Sequence, residues 1–197
     1  MNAAYKDFII EPIGNRYNNS VRVDEKELIL NTEVFNHQYI NRLAKVIATP
    51  LLFQSPIKVG DEVIVHHNVF RRWHDVKGIE KNSRSYFNES TYFISHDQIF
   101  LYKKKDKWIA PKGYCFVIPL ISTDKFNVEQ EQPLQGIVKY SDGTVNVGEL
   151  VGFTPNSQYE FIVDNERLYR VLSKFITIKY EYQGNEKAYN PGWAQSS

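Results

Sequence analysis

Apolar positions along this chain come in short runs separated by polar clusters, and the runs either alternate with polar residues or are continuously apolar. Phe8-Ile9-Ile10-Glu11-Pro12, Ala44-Lys45-Val46-Ile47-Ala48 and Gln98-Ile99-Phe100-Leu101-Tyr102 are of this kind. Such lengths, bounded by Gly, Pro, Asn and Asp, predict strands. The most informative run is Ile57-Lys58-Val59-Gly60-Asp61-Glu62-Val63-Ile64-Val65, because Val145-Asn146-Val147-Gly148-Glu149-Leu150-Val151-Gly152-Phe153 echoes it. In both, a β-branched residue precedes Gly-acid and an apolar run follows, which reads as a tight turn feeding a half-buried strand. Glycine supplies the backbone freedom and the acid keeps the corner hydrated.

The flanks repeat in the same order. Phe8–Pro12 is answered by Phe116-Val117-Ile118-Pro119-Leu120, Ala44–Ala48 by Gln135-Gly136-Ile137-Val138-Lys139, and Gln98–Tyr102 by Lys174-Phe175-Ile176-Thr177-Ile178. The offset between copies falls from 108 residues at Phe8 and Phe116 to 88 at Gly60 and Gly148. The first copy therefore carries the longer insertions, one after its opening strand and one after Val65, where loops vary most. An all-β chain of two tandem units is expected: 1–110, then 111–182, with a polar tail at 183–197.

Composition changes this picture little. Tyr (13) and Phe (12) are abundant, a skew that favours sheet over helix. There is no apolar run long enough to span a bilayer, and the start Met1-Asn2-Ala3-Ala4-Tyr5-Lys6-Asp7 has no signal-peptide pattern, so the expectation is a soluble, cytoplasmic protein. A net charge of +1 supplies no electrostatic case for nucleic acid or membrane. The single cysteine, Cys115, lies in an apolar run and reads as a small buried hydrophobe.

Between the first two predicted strands lies a long connection, about residues 14–41, opened by Gly14-Asn15-Arg16-Tyr17-Asn18-Asn19-Ser20. Inside it stands Glu27-Leu28-Ile29-Leu30-Asn31, three large aliphatics in polar surroundings. They read either as a short extra strand or as an adhesive segment kept for a partner. The order of strand, long loop with an aliphatic tripeptide, strand, Val-Gly-Asp turn, apolar strand and closing strand resembles the GroES-type co-chaperonins. The resemblance covers nearly the whole chain, because residues 113–180 repeat the pattern in shorter form.

That resemblance implies two GroES-like β-barrels, the first with a mobile loop and an inserted hairpin. It implies that Leu28, Ile29 and Leu30 dock on a GroEL-type chaperonin ring, itself the ATPase, and that the chain is a homo-oligomer, in ring form, with no cofactor and no catalysis of its own. Tyr5–Ile13 and Ile99–Tyr102 are expected at subunit interfaces. Two-barrel members suggest a phage-encoded or chloroplast-type protein; if phage-encoded, its place is the host cytoplasm. Glu27 and Asn31 stand where the family has glycines, and 66–91 is longer than in the family. A structural or virion-assembly protein built on duplicated barrels is the competing class.

Two other constellations carry candidate chemistry. His66, His67, His74 and Asp75 are zinc-type ligands, but adjacent histidines on an extended backbone diverge, and no metal is expected. Phe70-Arg71-Arg72-Trp73-His74 with Lys77, Lys81 and Arg84 mixes cations and aromatics; it reads as a solvated hairpin whose cations cover its aromatics rather than a nucleic-acid surface. Lys103-Lys104-Lys105-Asp106-Lys107 reads as a charged tip or linker. Tyr189 and Trp193 are candidates to pack on a neighbouring subunit.

Overall fold

The computed structural model describes residues 5–17, 20–23, 26–29, 40–123 and 131–194. These residues are predominantly β-structured, in antiparallel sheets, and the chain divides into two compact units at Lys107/Trp108. Among the described residues no helix is long and apolar enough to cross a membrane.

In the first unit the strands are β1 (Phe8–Pro12), β2 (Ser20–Val23), β3 (Lys26–Ile29), β4 (Leu43–Ala48), β5 (Glu62–Val65), β6 (Arg72–His74), β7 (Glu80–Asn82), β8 (Tyr86–Asn88), β9 (Thr91–Ile94) and β10 (Ile99–Lys104). The unit boundary falls within β11 (Lys107–Ile109), reached through Lys105 and Asp106, both at positive φ. The main sheet has seven strands in the order β11-β10-β5-β4-β1-β9-β8, so β10, which carries Ile99–Tyr102, lies between β5 and β11, while β2-β3 and β6-β7 form separate two-stranded hairpins. The second unit contains β12 (Tyr114–Ile121), β13 (Glu131–Ser141), β14 (Leu150–Phe153), β15 (Gln158–Val163), β16 (Glu166–Leu172) and β17 (Ile176–Tyr180), in the order β17-β14-β13-β12-β16-β15. Apart from β11, this is strand for strand the order of the first sheet.

The repeated Gly-acid corners coincide down to single hydrogen bonds. Gly60 N donates to Val46 O at 2.8 Å and Val46 N to Asp61 O at 2.9 Å; Gly148 N donates to Val138 O at 2.8 Å and Val138 N to Glu149 O at 2.9 Å. The two glycines sit at φ +93° and +86°, the left-handed region that favours glycine. Each acid turns its carboxylate back on the corner: Lys58 N donates to Asp61 Oδ2 at 2.7 Å, and Asn146 N to Glu149 Oε2 at 3.3 Å. A lysine from the closing strand then pairs with it, Lys104 with Asp61 and Lys179 with Glu149. The hydrogen bond from Lys179, joined by Asn146, holds the Glu149 carboxyl below the usual carboxylate range. Lys103 likewise pairs with Glu62 at 3.1 Å, so two lysines of the expected linker belong instead to β10.

Continuous apolar runs correspond to strands covered on both faces. Phe8, Ile9 and Ile10 are all buried in β1, and Cys115, Phe116 and Val117 in β12. Val117 joins a cluster with Val138, Val151, Phe153 and Val171, whereas the neighbouring Phe116 meets Phe161 edge-on at 5.3 Å. Cys115 is buried as expected, its Sγ 3.3 Å from Ser173 Oγ. Ser173 donates to Asp142 Oδ2 at 3.1 Å, which also accepts from Gly113 N at 2.7 Å. Burial pushes the Asp142 carboxyl up, but hydrogen bonds from Thr144, Gly113 and Ser173 outweigh it and hold the group below its usual range.

Three expectations are revised by the pairing. β1 pairs with β9 along Phe8–Ile10 and with β4 along Ile9–Pro12, so Ile9 and Ile10 have no free strand edge to offer a second subunit. His67–Val69 forms a 3₁₀ turn, which brings the His66 and His67 rings into a stack at 4.4 Å instead of onto opposite faces. The chain past Gly184 is no loose tail throughout: Ala188 bridges to Leu120, and Tyr189 N donates to Pro119 O at 2.7 Å. Tyr189 lies 5.4 Å from the guanidinium of Arg167.

Candidate partner-binding segments

The connection carrying the aliphatic tripeptide leaves the sheet after β1 and is stitched shut at its base. Tyr17 bridges to Ile40, Asn41 N donates to Arg16 O at 2.9 Å, and Asn41 Nδ2 to Ile13 O at 2.8 Å. Tyr17, Ile40 and Asn41 are buried, which makes this closure part of the core. Arg16 fixes it further, its Nη2 donating to Phe70 O at 3.0 Å and its guanidinium lying over the rings of Tyr86 and Tyr92. Ordering one base in this way confines the closure cost of the long connection to a few residues.

Between these anchors β2 and β3 form an antiparallel hairpin with Val21 opposite Leu28 and Ser20 opposite Ile29. Leu28 and Ile29 thus occupy strand positions in a hairpin separate from the main sheet. Leu30, and residues 18–19, 24–25 and 31–39 of the expected mobile loop, lie outside the described residues. The corresponding connection of the second unit, between β12 and β13, includes 124–130, also outside them.

A second apolar segment escaped sequence reasoning. In the link from β4 to β5, Leu51 and Leu52 are 67% and 68% exposed, and Phe53 is exposed at its outer edge while its ring meets Phe8 and His96. Leu51 N and Leu52 N both donate to Tyr5 O. The segment borders an open groove of about 510 Å³ along Thr49–Val59. A Pro-flanked apolar tripeptide was visible in the sequence, but it lay too close to two strands to be separated from them.

The inserted hairpin β6-β7 also differs from expectation. Arg72 stacks over Tyr17 at 5.0 Å rather than over Trp73, which stays 43% exposed beside fully exposed Val76. His66 and His67 stack on each other, but among the described residues no group of three or more metal-type side chains is assembled.

In the second unit the densest polar cluster centres on Arg167, only 7% exposed. Its Nη1 donates to Glu131 at 2.7 Å and its Nε to Glu160 at 2.8 Å, while Nη2 donates to Tyr169 Oη at 2.6 Å. Burial works against the guanidinium's charge, yet the bonds to Glu160 and Glu131 prevail and strengthen its hold on the proton. Burial raises the Tyr169 hydroxyl, and its bond to Glu131 raises it further. Arg167 N also donates to Asn190 Oδ1, so the cluster ties β13, β15, β16 and residues 189–190 together. No single sequence motif announces it, because its members are spread from 131 to 190.

No known family model matches this chain, and no curated protein matches it.

Proposed function

We propose that this protein is a co-chaperonin of the GroES type: two tandem GroES-like barrels, assembled as a homo-oligomeric ring, that cap a GroEL-type chaperonin and assist protein folding. Leu28, Ile29 and Leu30 are the contact with the chaperonin, which supplies the ATP hydrolysis; this chain binds and makes no bonds. The observation that carries the reading is the doubled strand order with matching Gly-acid corners, combined with an aliphatic hairpin held apart from the first sheet on a stitched base. A fixed base below a separate two-stranded hairpin suits a docking element that leaves the fold undisturbed when it binds.

Each docked aliphatic contributes roughly 1.5–3 kcal/mol before the ordering cost of the segment. One segment therefore binds weakly, and a ring presenting several gains about a hundredfold or more in avidity. The test is retention on an immobilised, purified bacterial chaperonin with and without nucleotide, using wild type and Ile29→Asp. Nucleotide-dependent retention lost in Ile29→Asp, at an unchanged melting temperature, is the expected result, because a buried unpaired charge costs more than the lost methyl groups. A wild-type chain that is monomeric at micromolar concentration and never retained sinks the proposal, and favours the assembly-platform reading.

A further inference from the structure

We propose that the second unit carries a binding site for a neutral polyhydroxylated ligand, a single pyranose ring of a saccharide, between its sheet and the segment 181–190. The proposal goes beyond the capping reading and does not depend on it. It begins with the way β14 faces. Val151 and Phe153 belong to the core cluster with Val117 and Val138, so by strand alternation Leu150 and Gly152 lie on the opposite face. Leu150 is nevertheless only 4% exposed there, and Gly152 is buried.

The chain's own end lies over that face. Tyr180 stands opposite Leu150 in the β14-β17 pair, and its ring rests against Gly152: a Cβ added at Gly152 would fall 2.9 Å from Tyr180 Cε2 and 3.2 Å from its Oη. Beyond Tyr180 the chain crosses to β12. Tyr182 Oη donates to Gly148 O, Glu186 accepts from Gln183 N at 2.6 Å and Gly184 N at 2.9 Å, and Ile121 N donates to Lys187 O at 2.8 Å. This strap is therefore tied down by hydrogen bonds, since none of residues 181–190 is buried. Nor does it fill the space next to the sheet. A cavity of about 220 Å³ remains, with Leu120, Leu150 and Tyr180 among its walls. Interiors rarely leave voids much larger than a water molecule, and this one has room for roughly seven.

The polar lining selects the ligand. Gln132, Gln135, Gln183 and Asn185 bring four carboxamides to the cavity, and none of these side chains has a hydrogen-bond partner among the described residues. Gln132 and Gln135 are half-buried on β13, with Gln135 directly opposite Gly152. A carboxamide both donates and accepts, as a hydroxyl does, so the set suits a ligand that carries several hydroxyls. Anions are disfavoured: no lysine or arginine is among the described lining residues, whereas Glu181 and Glu186 are. A metal ion is disfavoured too, because both Glu186 oxygens already accept from backbone amides and no three metal-type side chains assemble among the described residues. Leu120, Leu150 and Tyr180 offer the apolar contact that the C–H groups of a sugar ring take. The volume lies below the roughly 300–1,000 Å³ of sites for larger ligands, which limits the occupant to one ring.

The experiment follows the isotope-labelled full chain by amide NMR during titration with D-glucose, D-galactose, D-mannose and N-acetyl-D-glucosamine, and with their methyl glycosides. At least one sugar gives saturable shifts at Gln135, Leu150, Gly152 and residues 183–186. Gln135→Leu keeps the bulk, loses the amide and weakens that binding at least about tenfold. Asn185→Ala, at an exposed position, weakens it in the same direction and carries the test if Gln135→Leu does not fold. Both variants keep wild-type chaperonin retention, so loss of sugar binding alone sinks this proposal and loss of retention alone sinks the capping reading. Binding of methyl glycoside and free sugar alike makes the ligand the end of a glycan, and binding of free sugar alone makes it a monosaccharide; either supports the site. No saturable shift with any of these sugars, undiminished binding by either folded variant, or tighter binding of phosphate, adenosine or ethanolamine overturns the proposal.

Discussion

Gly60→Ala probes the corner on which each unit turns into its central strands. At φ +93° an L-residue places Cβ against its own backbone, a strain of about 1–2 kcal/mol. A Cβ built there meets nothing within 4 Å, so no new contact offsets the strain. The alanine restricts the unfolded chain and returns about 0.4–1 kcal/mol. The net expected loss is therefore about 1 kcal/mol, which for a unit of this size lowers the melting temperature by roughly 4–8 °C. Gly148→Ala should cost the second unit the same, since its φ is +86° and its backbone hydrogen bonds match. Gly192→Ala, equally free of neighbours but not at positive φ, is the control. Differential scanning calorimetry reads all three. If Gly60→Ala and Gly148→Ala melt no lower than Gly192→Ala, the corners are not held in the left-handed region and their equivalence loses its physical basis.

Gly136→Ala fails for a different reason: its Cβ falls 2.6 Å from the backbone oxygen of Ile118 and 3.1 Å from Val117 Cβ, so β12 and β13 must separate and stability falls by about 2 kcal/mol or more in urea unfolding. Tyr92→Phe is neutral or stabilising, by up to about 1 kcal/mol, because the buried hydroxyl has no hydrogen-bond partner among the described residues; a clear loss of stability would show that the hydroxyl is satisfied. The carboxyl of Asp142 has its folded pKa below the unfolded value, so its contribution is present above pH about 4 and is lost as pH falls through the lower folded value. The second unit of Asp142→Asn should therefore melt lower at pH 7 and show a shallower fall in melting temperature below pH about 4. Arg167→Met leaves Glu131 and Glu160 facing each other without the guanidinium, and should destabilise the second unit and release residues 187–190 to faster amide exchange.

Much of the architecture was legible because β-structure writes its pattern locally. Phe8–Pro12, Ala44–Ala48 and their counterparts near Phe116 and Gln135 are strands, and the two Gly-acid corners adopt the same turn. The aliphatic run 28–30 was legible as anomalous, and one of its two readings was a short extra strand, which holds for Leu28 and Ile29; that Ser20 and Val21 would face them across a hairpin was not legible. The His66-His67 divergence failed because it assumed that extension continued past Val65, whereas the His66 side chain accepts from Asn68 N and starts a 3₁₀ turn. Charge runs were equally misleading: Lys103 and Lys104 read as linker until the strands bearing Glu62 and Asp61 came alongside.

Strand segments, their duplication and the placing of insertions could be read along the chain, since alternation, turn chemistry and spacing are properties of sequence neighbours. Which side chains stay in water and which polar groups meet depends on the three-dimensional packing. Leu51, Leu52, Trp73 and Val76 are as apolar as the core residues, and their exposure follows from lying in links and turns that no second layer covers. Arg167, Glu131, Glu160 and Asn190 are far apart along the chain and unremarkable there; antiparallel pairing of β12 with β13 and β16 draws them to one point, where burial makes their mutual satisfaction obligatory.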